Sequence, residues 1–244
     1  MIVFDEADAR FMTPGGHEVE FRYRKGTNDW NTIWSCLNED EYGLRGLSLS
    51  GVAFDIGAHV GSVAVALALD HPDLHVVAVE PVEDNRRLIE LNARQNHARV
   101  TIVPAAAGGP DETVTRLHVN FRGTEHAWHH GFIGTTENGN EAVAENWRLG
   151  SDHDILEVPT VSASSLAAEY GTPSIVKLDC EGAEYAFFRD RTVDDWPLLV
   201  GEWHNVPHGG RLRSDRADFA ALLPRHRIEF SGAVEGPGGF RAVL

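Results

Sequence analysis

After residue 50 the chain alternates short, wholly apolar runs with longer stretches whose apolar positions recur every three or four residues. Val52, Ala53, Phe54 and Ile56, and later Val76 to Val79, are runs of the kind found in strands covered on both faces. Between them Ser62 to Leu69 (SVAVALAL) is apolar nearly all round, as a helix enclosed in a core must be. The pattern predicts strands over 52–56, 75–80, 99–103, 174–179 and 198–203. It predicts helices over 61–70, 83–96, 164–170, 181–189 and 215–223. In helix 83–96, Glu83 with Arg87 and Glu90 with Arg94 form i,i+4 pairs on a solvent face, while Leu88, Ile89 and Leu91 supply apolar surface. Ser214 stands where it would cap helix 215–223, and Pro224 lies just past its end. Two closing strands, 227–230 and 239–244, flank the glycine-rich turn 232–238. Strands alternating with helices, then a terminal hairpin, specify an α/β fold with a mainly parallel sheet and an antiparallel edge.

Two regions stand outside this rhythm. Residues 1–50 are mixed and polar, with a hairpin-like turn at Thr13-Pro14-Gly15-Gly16 and a short helix over 28–36. They read as a lead-in to one domain spanning 51–244. Thr113 to Val119 alternates like an edge strand, after which residues 120–157 lose strong periodicity. A stretch of that length in a compact domain suggests a lid on the substrate side. It carries His126, Trp128, His129, His130 and Trp147. The histidine trio invites a metal reading, but no cysteine accompanies it, and we take these as loop residues.

The chemistry concentrates where the first strand turns into its helix, at Phe54-Asp55-Ile56-Gly57-Ala58-His59-Val60-Gly61. Asp55 supplies a carboxylate there; Gly57 can take backbone angles closed to other residues, and Gly61 lets the first helical turn approach a ligand. The pyrophosphate-binding fingerprint GxGxxG is broken, because His59 and Ser62 fill its second and third glycine positions. What remains, DxGxxxG, is the form found where S-adenosylmethionine binds. Glu80-Pro81 ends the neighbouring strand, where an acid can accept both hydroxyls of a free ribose and excludes a 2′-phosphate. After the third strand, Pro104-Ala105-Ala106-Ala107-Gly108-Gly109 either leaves room for a flat ring such as adenine or is a plain loop of small residues.

Composition narrows the acceptor. With 21 basic and 37 acidic residues the formal net charge is -16, and no run of Lys or Arg offers a track for phosphates. Nucleic acid is therefore not expected as a substrate. Cys36 and Cys180 are far apart and fit no metal-ligand spacing, which suits a reducing, cytoplasmic setting. The opening residues MIVFDEADARFM carry acids where a signal peptide is basic, and no apolar stretch of the ~18 residues that a span needs follows. No membrane partner is expected, and nothing in the sequence fixes an oligomeric state.

Taken together, FDIGAHVGS, the VVAVEP strand end and VKLDCEGAEYAFF resemble the FkbM-type family of S-adenosylmethionine-dependent O-methyltransferases, whose signature looks like DIGANxGxxS early and KxDxEGxE later. The lead-in is similar too, since Arg24 to Asp29 and Glu41-Tyr42 sit where members often carry a Gly-Thr-x-Asp stretch and an acidic-Tyr pair. His59 stands where Asn is usual and Cys180 where Val or Ile is usual. The resemblance implies a Rossmann-like sheet of seven strands with the last antiparallel and helices on both faces. It also implies S-adenosylmethionine as cofactor, held by Asp55, Gly57, Ala58, His59, Gly61, Glu80, Pro81 and Ala106, with His59 facing the methionyl part. The acceptor it implies is a hydroxyl of a small molecule such as a sugar, glycoside or polyketide-like metabolite.

An alcohol becomes strongly acidic as its oxygen gains the methyl group, so a nearby base can take the proton as the bond forms. Asp179 ends one predicted strand and His204 follows another, both on the ligand crevice of the sheet. They are the candidate catalytic pair, with His204 as base because imidazole titrates near neutral pH. Glu181 is a third candidate, although an acid in the first turn of a helix also stabilises its positive end, and that second reading suits Glu184 better. Lys177, on the same side of its strand as Asp179, is either a charge partner or a catalytic group. Asp179, Glu202 and Asn205 could approach a divalent cation, but they form no compelling set, and no metal is expected. Two alternatives remain: a nicotinamide-dependent oxidoreductase, disfavoured by the missing middle glycine, and a non-catalytic binding protein that keeps the fold.

Overall fold

The computed structural model describes residues 5–119, 132–134, 154–204, 215–232 and 238–244. In chain order its elements are β1 (Glu6–Met12), β2 (Glu18–Arg24), α1 (Asp29–Leu37), β3 (Gly51–Ile56), α2 (Ser62–Asp70), β4 (Leu74–Val79), α3 (Glu83–Gln95) and β5 (Val100–Val103). Then come β6 (Ala106–Ala107), β7 (Val114–Val119), β8 (Phe132–Gly134), β9 (Asp154–Val161), α4 (Ala163–Tyr170) and β10 (Pro173–Leu178). The chain closes with α5 (Glu184–Phe187), a 3-10 turn at Arg191–Asp195, β11 (Leu198–Trp203), α6 (Arg216–Ala220), β12 (Arg227–Phe230) and β13 (Gly238–Val243).

Seven strands form the central sheet in the order β12-β13-β11-β10-β3-β4-β5. The pairs among β11, β10, β3, β4 and β5 are parallel, and β13 is antiparallel to both β11 and β12. The last strand thus inserts between β11 and the edge strand β12. Strand order reverses between β3 and β10, and the crevice beyond their carboxyl ends is where a sheet of this kind receives its ligand.

Alternation of side chains along each strand divides the core in two. Phe54, Ile56, Val77, Val79, Val176 and Leu178 pack on one face with Phe187, Phe188, Trp196 and Phe219. Ala53, Val76, Ala78, Ile175 and Val200 face the other, under α2, α3 and α1. Helices therefore cover both faces. The hairpin β1–β2 and α1 join the second cluster through Phe11, Val19, Phe21, Ile33 and Leu37. Each such fully buried side chain contributes about 1.5–3 kcal/mol relative to exposure, enough to seat the lead-in firmly on the sheet.

Several expectations change. Strand β7 is not an edge: it pairs antiparallel with β8 on one side and β9 on the other, in a second sheet ordered β6-β9-β7-β8. Of the stretch expected to be a lid, 154–157 belongs to β9, because it continues that strand's ladder with β7; residues 120–131 and 135–153, with the three histidines and both tryptophans, lie outside the described residues. Helix 181–189 shrinks to α5, because Glu181 (φ 55°) and Gly182 (φ 102°) are left-handed and cannot continue a right-handed helix. The cap of α6 is Asp215, whose side chain accepts from the Asp218 amide; Ser214 is outside the described residues.

Candidate active site

At the carboxyl ends of β3, β4, β10 and β11 lies a cavity of about 380 Å³, within the usual range for small-molecule sites. Val79, Val82, Leu117 and Ala105 to Ala107 give it an apolar end. Asn28, Asn31, Thr32 and Ser35 of the lead-in give it a polar wall. Glu41, Asp179, Glu181, Glu202 and His204 close the far end. Gly57, His59, Glu80, Pro81 and Ala106 all reach this cavity, whereas Asp55, Ala58 and Gly61 do not line it.

Asp55 is fully buried beneath the loop, 3.3 Å from Lys177 Nζ. Lys177 also donates to the Gly57 carbonyl (2.7 Å), so the pair supports the turn from below. Burial pushes the Asp55 carboxyl up and the Lys177 ammonium down; Asp55 reverses the latter, and Lys177 ends above its ordinary value. Both glycines are also constrained by protein neighbours. At Gly57 (φ 75°) a Cβ would sit 1.8 Å from the Asp179 carbonyl oxygen, because β3 and β10 run side by side there. At Gly61 (φ 87°) it would press on Ile89 of α3 at 3.2 Å.

Glu80 is buried at the end of β4. Its Oε2 accepts the His59 amide (2.8 Å), and its Oε1 accepts the Val82 amide (2.9 Å) and Asn85 Nδ2 (3.1 Å). A carboxylate offers about four acceptor directions. Three are taken, which leaves one acceptor direction open. His59 is left-handed (φ 52°), a conformation in which Asn and His are both enriched, and this explains how His can replace the usual Asn. Its Nε2 lies 3.1 Å from Asp29 Oδ1. Asp29, itself fully buried, accepts the Arg24 amide and both prongs of the Arg24 guanidinium at 2.8–2.9 Å. Burial alone would raise the Asp29 carboxyl, but His59 and Arg24 hold it far below the usual range.

At the far end His204, 3% exposed, has Nδ1 3.1 Å from Glu184 Oε1 and Nε2 3.4 Å from Glu181 Oε2. Burial lowers the imidazole, yet Glu184 and Glu181 outweigh it and hold His204 well above its ordinary value. Glu184 is not simply an acid at a helix end: besides His204 it accepts the Cys180 amide at 3.0 Å. Asp179 Oδ2 accepts the Tyr42 hydroxyl (2.9 Å). Burial, then Asp179, pushes Glu202 up to about 7 and raises Glu41 as well. Asp179, Glu181 and His204 each offer a ligand atom within 4.8 Å of the others, a different trio from Asp179, Glu202 and Asn205. Asn205 lies outside the described residues.

Sequence reading placed Glu80, His59, Asp179, Glu181 and His204 on one cavity without finding what holds them. Arg24, Asp29, Glu41 and Tyr42 were visible only as stretches similar to the FkbM family, without roles. Asn85, Asn31, Thr32 and Ser35 carry no local signal, because a polar residue on an amphipathic helix looks the same whether it meets solvent or a cavity.

Among solved structures, a precorrin-6y C5,15-methyltransferase from Geobacter metallireducens is similar at 12% identity and TM-score 0.50, over 96% of this chain and 93% of that one. A 16S rRNA N2 G1207 methyltransferase from T. thermophilus aligns at 12% identity and TM-score 0.49, over 100% of this chain and 51% of the other. At 12% identity the likeness to the first is one of fold alone. No curated protein matches the sequence. The profile of the methyltransferase FkbM domain, however, matches residues 55–226, well over half of the chain and every strand end that lines the cavity. The chain therefore belongs to the FkbM family of S-adenosylmethionine-dependent methyltransferases.

Proposed function

We propose that this methyltransferase acts on a hydroxyl of a small molecule, with His204 as the base and Asp179 and Glu181 beside the acceptor. The observation that carries this reading is the Glu184–His204 pair at the end of the cavity opposite the alanines. When bound, S-adenosylmethionine supplies an electrophilic methyl group on a sulfonium. The chain must then hold the acceptor oxygen in line and remove its proton. Glu184 holds the imidazole through Nδ1, and Nε2, 3.4 Å from Glu181 Oε2, is the atom that would take the acceptor's proton, with Glu184 in the orienting role that a carboxylate plays in hydrolase triads. A raised imidazole is a stronger base at the cost of a smaller neutral fraction near pH 7. Asp179, oriented by Tyr42, would accept a second hydroxyl of the acceptor or stabilise positive charge.

The cofactor end is assigned by chemistry. Ala105 to Ala107 and Val79 suit adenine, the remaining acceptor direction of Glu80 suits a ribose hydroxyl, and His59 suits the methionyl carboxylate. The amides and hydroxyls of Asn28, Asn31, Thr32 and Ser35 match a polyhydroxylated acceptor such as a sugar or glycoside. No described Lys or Arg lines the cavity, which speaks against a nucleic acid acceptor. Both cysteines are free and buried, in keeping with a reducing compartment, and among the described residues no helix is long and apolar enough to cross a membrane.

Mass spectrometry of products from a panel of sugar, glycoside, amine and oligonucleotide acceptors tests the assignment. A methyl ether on a sugar or glycoside is the expected product. Methylation confined to amines or oligonucleotides would overturn it, and an absence of turnover on every class would favour the non-catalytic alternative.

A further inference from the structure

The profile that defines the family begins at residue 55, yet the Glu80 end of the cavity is held from outside it. Glu80 accepts the His59 amide; His59 Nε2 meets Asp29 Oδ1; Asp29 binds the Arg24 fork; Arg24 donates to Asn85 Oδ1 at 2.8 Å; and Asn85 donates back to Glu80. These contacts close a ring of five residues from three separate parts of the chain. Arg24 is 2% exposed, Asp29 0%, and Glu80 and Asn85 4% each. Neither Arg24 nor Asp29 lines the cavity.

A buried ion pair is a poor way to gain stability, since apolar residues of similar volume commonly do as well or better. What such a network does supply, when its members satisfy one another, is a single rigid arrangement. The ring is fastened to the cavity wall at three points, His59, Glu80 and Asn85, and two of its bonds fix where Glu80 can present its remaining acceptor direction. It also holds His59 in its left-handed turn from both the backbone and the ring side.

We propose that the N-terminal segment is a working part of the cofactor site, in which Arg24 and Asp29 are positioning residues that aim Glu80 at the ribose and His59 at the amino-acid end of S-adenosylmethionine. This rests on the assignment of Glu80 to the ribose made above. It means that the turn 57–61 alone does not define cofactor geometry in this chain; the hairpin and α1 do so jointly with it.

The test is calorimetry on the full chain with S-adenosylhomocysteine and its 2′-deoxy analogue. Wild-type protein should prefer the ribose form by about tenfold or more, as expected when a hydrogen bond to a charged group is lost. Glu80→Gln should reduce that preference to under ~3-fold. In Asp29→Asn and Arg24→Lys, which keep the shape or the charge, overall affinity should fall about 10- to 100-fold, and the preference should collapse as in Glu80→Gln. A merely structural ring would weaken both ligands equally. Retention of the wild-type preference in either folded ring variant therefore overturns the proposal. Retention of the preference in Glu80→Gln overturns the ribose assignment itself, and the proposal with it. Circular dichroism identifies a variant that fails to fold, in which case the other ring variant decides.

Discussion

The two ends of the cavity are built on opposite electrostatic plans. Around Glu80 a buried carboxylate is met by two backbone amides and an asparagine, and the nearby Asp29 carboxylate is matched by Arg24 and His59. Around His204 four carboxylates, Glu41, Asp179, Glu181 and Glu202, share the wall with one imidazole, and the nearest ammonium, Lys177, is spent on Asp55 and the Gly57 carbonyl. In the first, His59 and Arg24 hold Asp29 below its ordinary range while burial raises Glu80; in the second, burial and neighbouring carboxylates raise Glu202, and Glu184 and Glu181 raise His204. On the proposed reading, donor binding falls to the hydrogen-bonded Glu80 end and proton removal to the acid-rich His204 end.

The largest effect expected is at the His204 end. His204→Ala should lower turnover by about two to four orders of magnitude while S-adenosylhomocysteine affinity stays within about twofold. Because His204 is held above its ordinary value, the wild-type rate should climb with pH to a plateau above neutrality. Glu184→Gln removes the leading cause of that elevation and should move the climb to lower pH. Near-normal turnover in a folded, cofactor-binding His204→Ala protein would erase the distinction between the two ends and leave Asp179 or positioning to carry the reaction.

At the other end, Glu80→Ala should weaken cofactor binding by about 1.5–3 kcal/mol, read by calorimetry, with turnover at saturating cofactor far less affected. A turnover defect as deep as that of His204→Ala would show that the ends are not separable.

A smaller effect concerns stability. The folded-state value for Glu202 lies above its unfolded one, so its burial is tolerated at low pH and becomes destabilising as pH rises from about 4.5 through about 7. Glu202→Gln should therefore melt higher than wild type at pH 8 and the same at pH 4. Equal melting temperatures at both would mean the acid end carries no electrostatic strain.

The smallest effect should come from chelation. The proposed proton transfer to His204 uses no metal step, so activity should survive exhaustive treatment with EDTA. Loss of activity restored by magnesium or manganese would instead make Asp179, Glu181 and His204 ligands.

The sequence by itself determined the sheet, because each central strand is a short apolar run and each crossover helix an amphipathic or wholly apolar one; β11 matches its predicted bounds to the residue. It also determined which strand ends meet, since parallel strands place all their carboxyl ends on one edge. Tertiary structure alone decided how those ends are wired. Gly57 was legible as a residue needing unusual backbone angles, and it has them (φ 75°), but its second constraint, the Asp179 carbonyl brought alongside by β10 122 residues later in the chain, was not. Glu181 looked like the start of a helix, and a left-handed turn instead swings it toward His204. Arg24 and Asp29 were visible only as part of a stretch similar to the family, and Asn85 gave no local signal, yet together they are the buried frame of Glu80. Periodicity and turn chemistry are local and can be read along the chain; a hydrogen-bond ring closed across sixty residues depends on contacts that exist only after the core has packed.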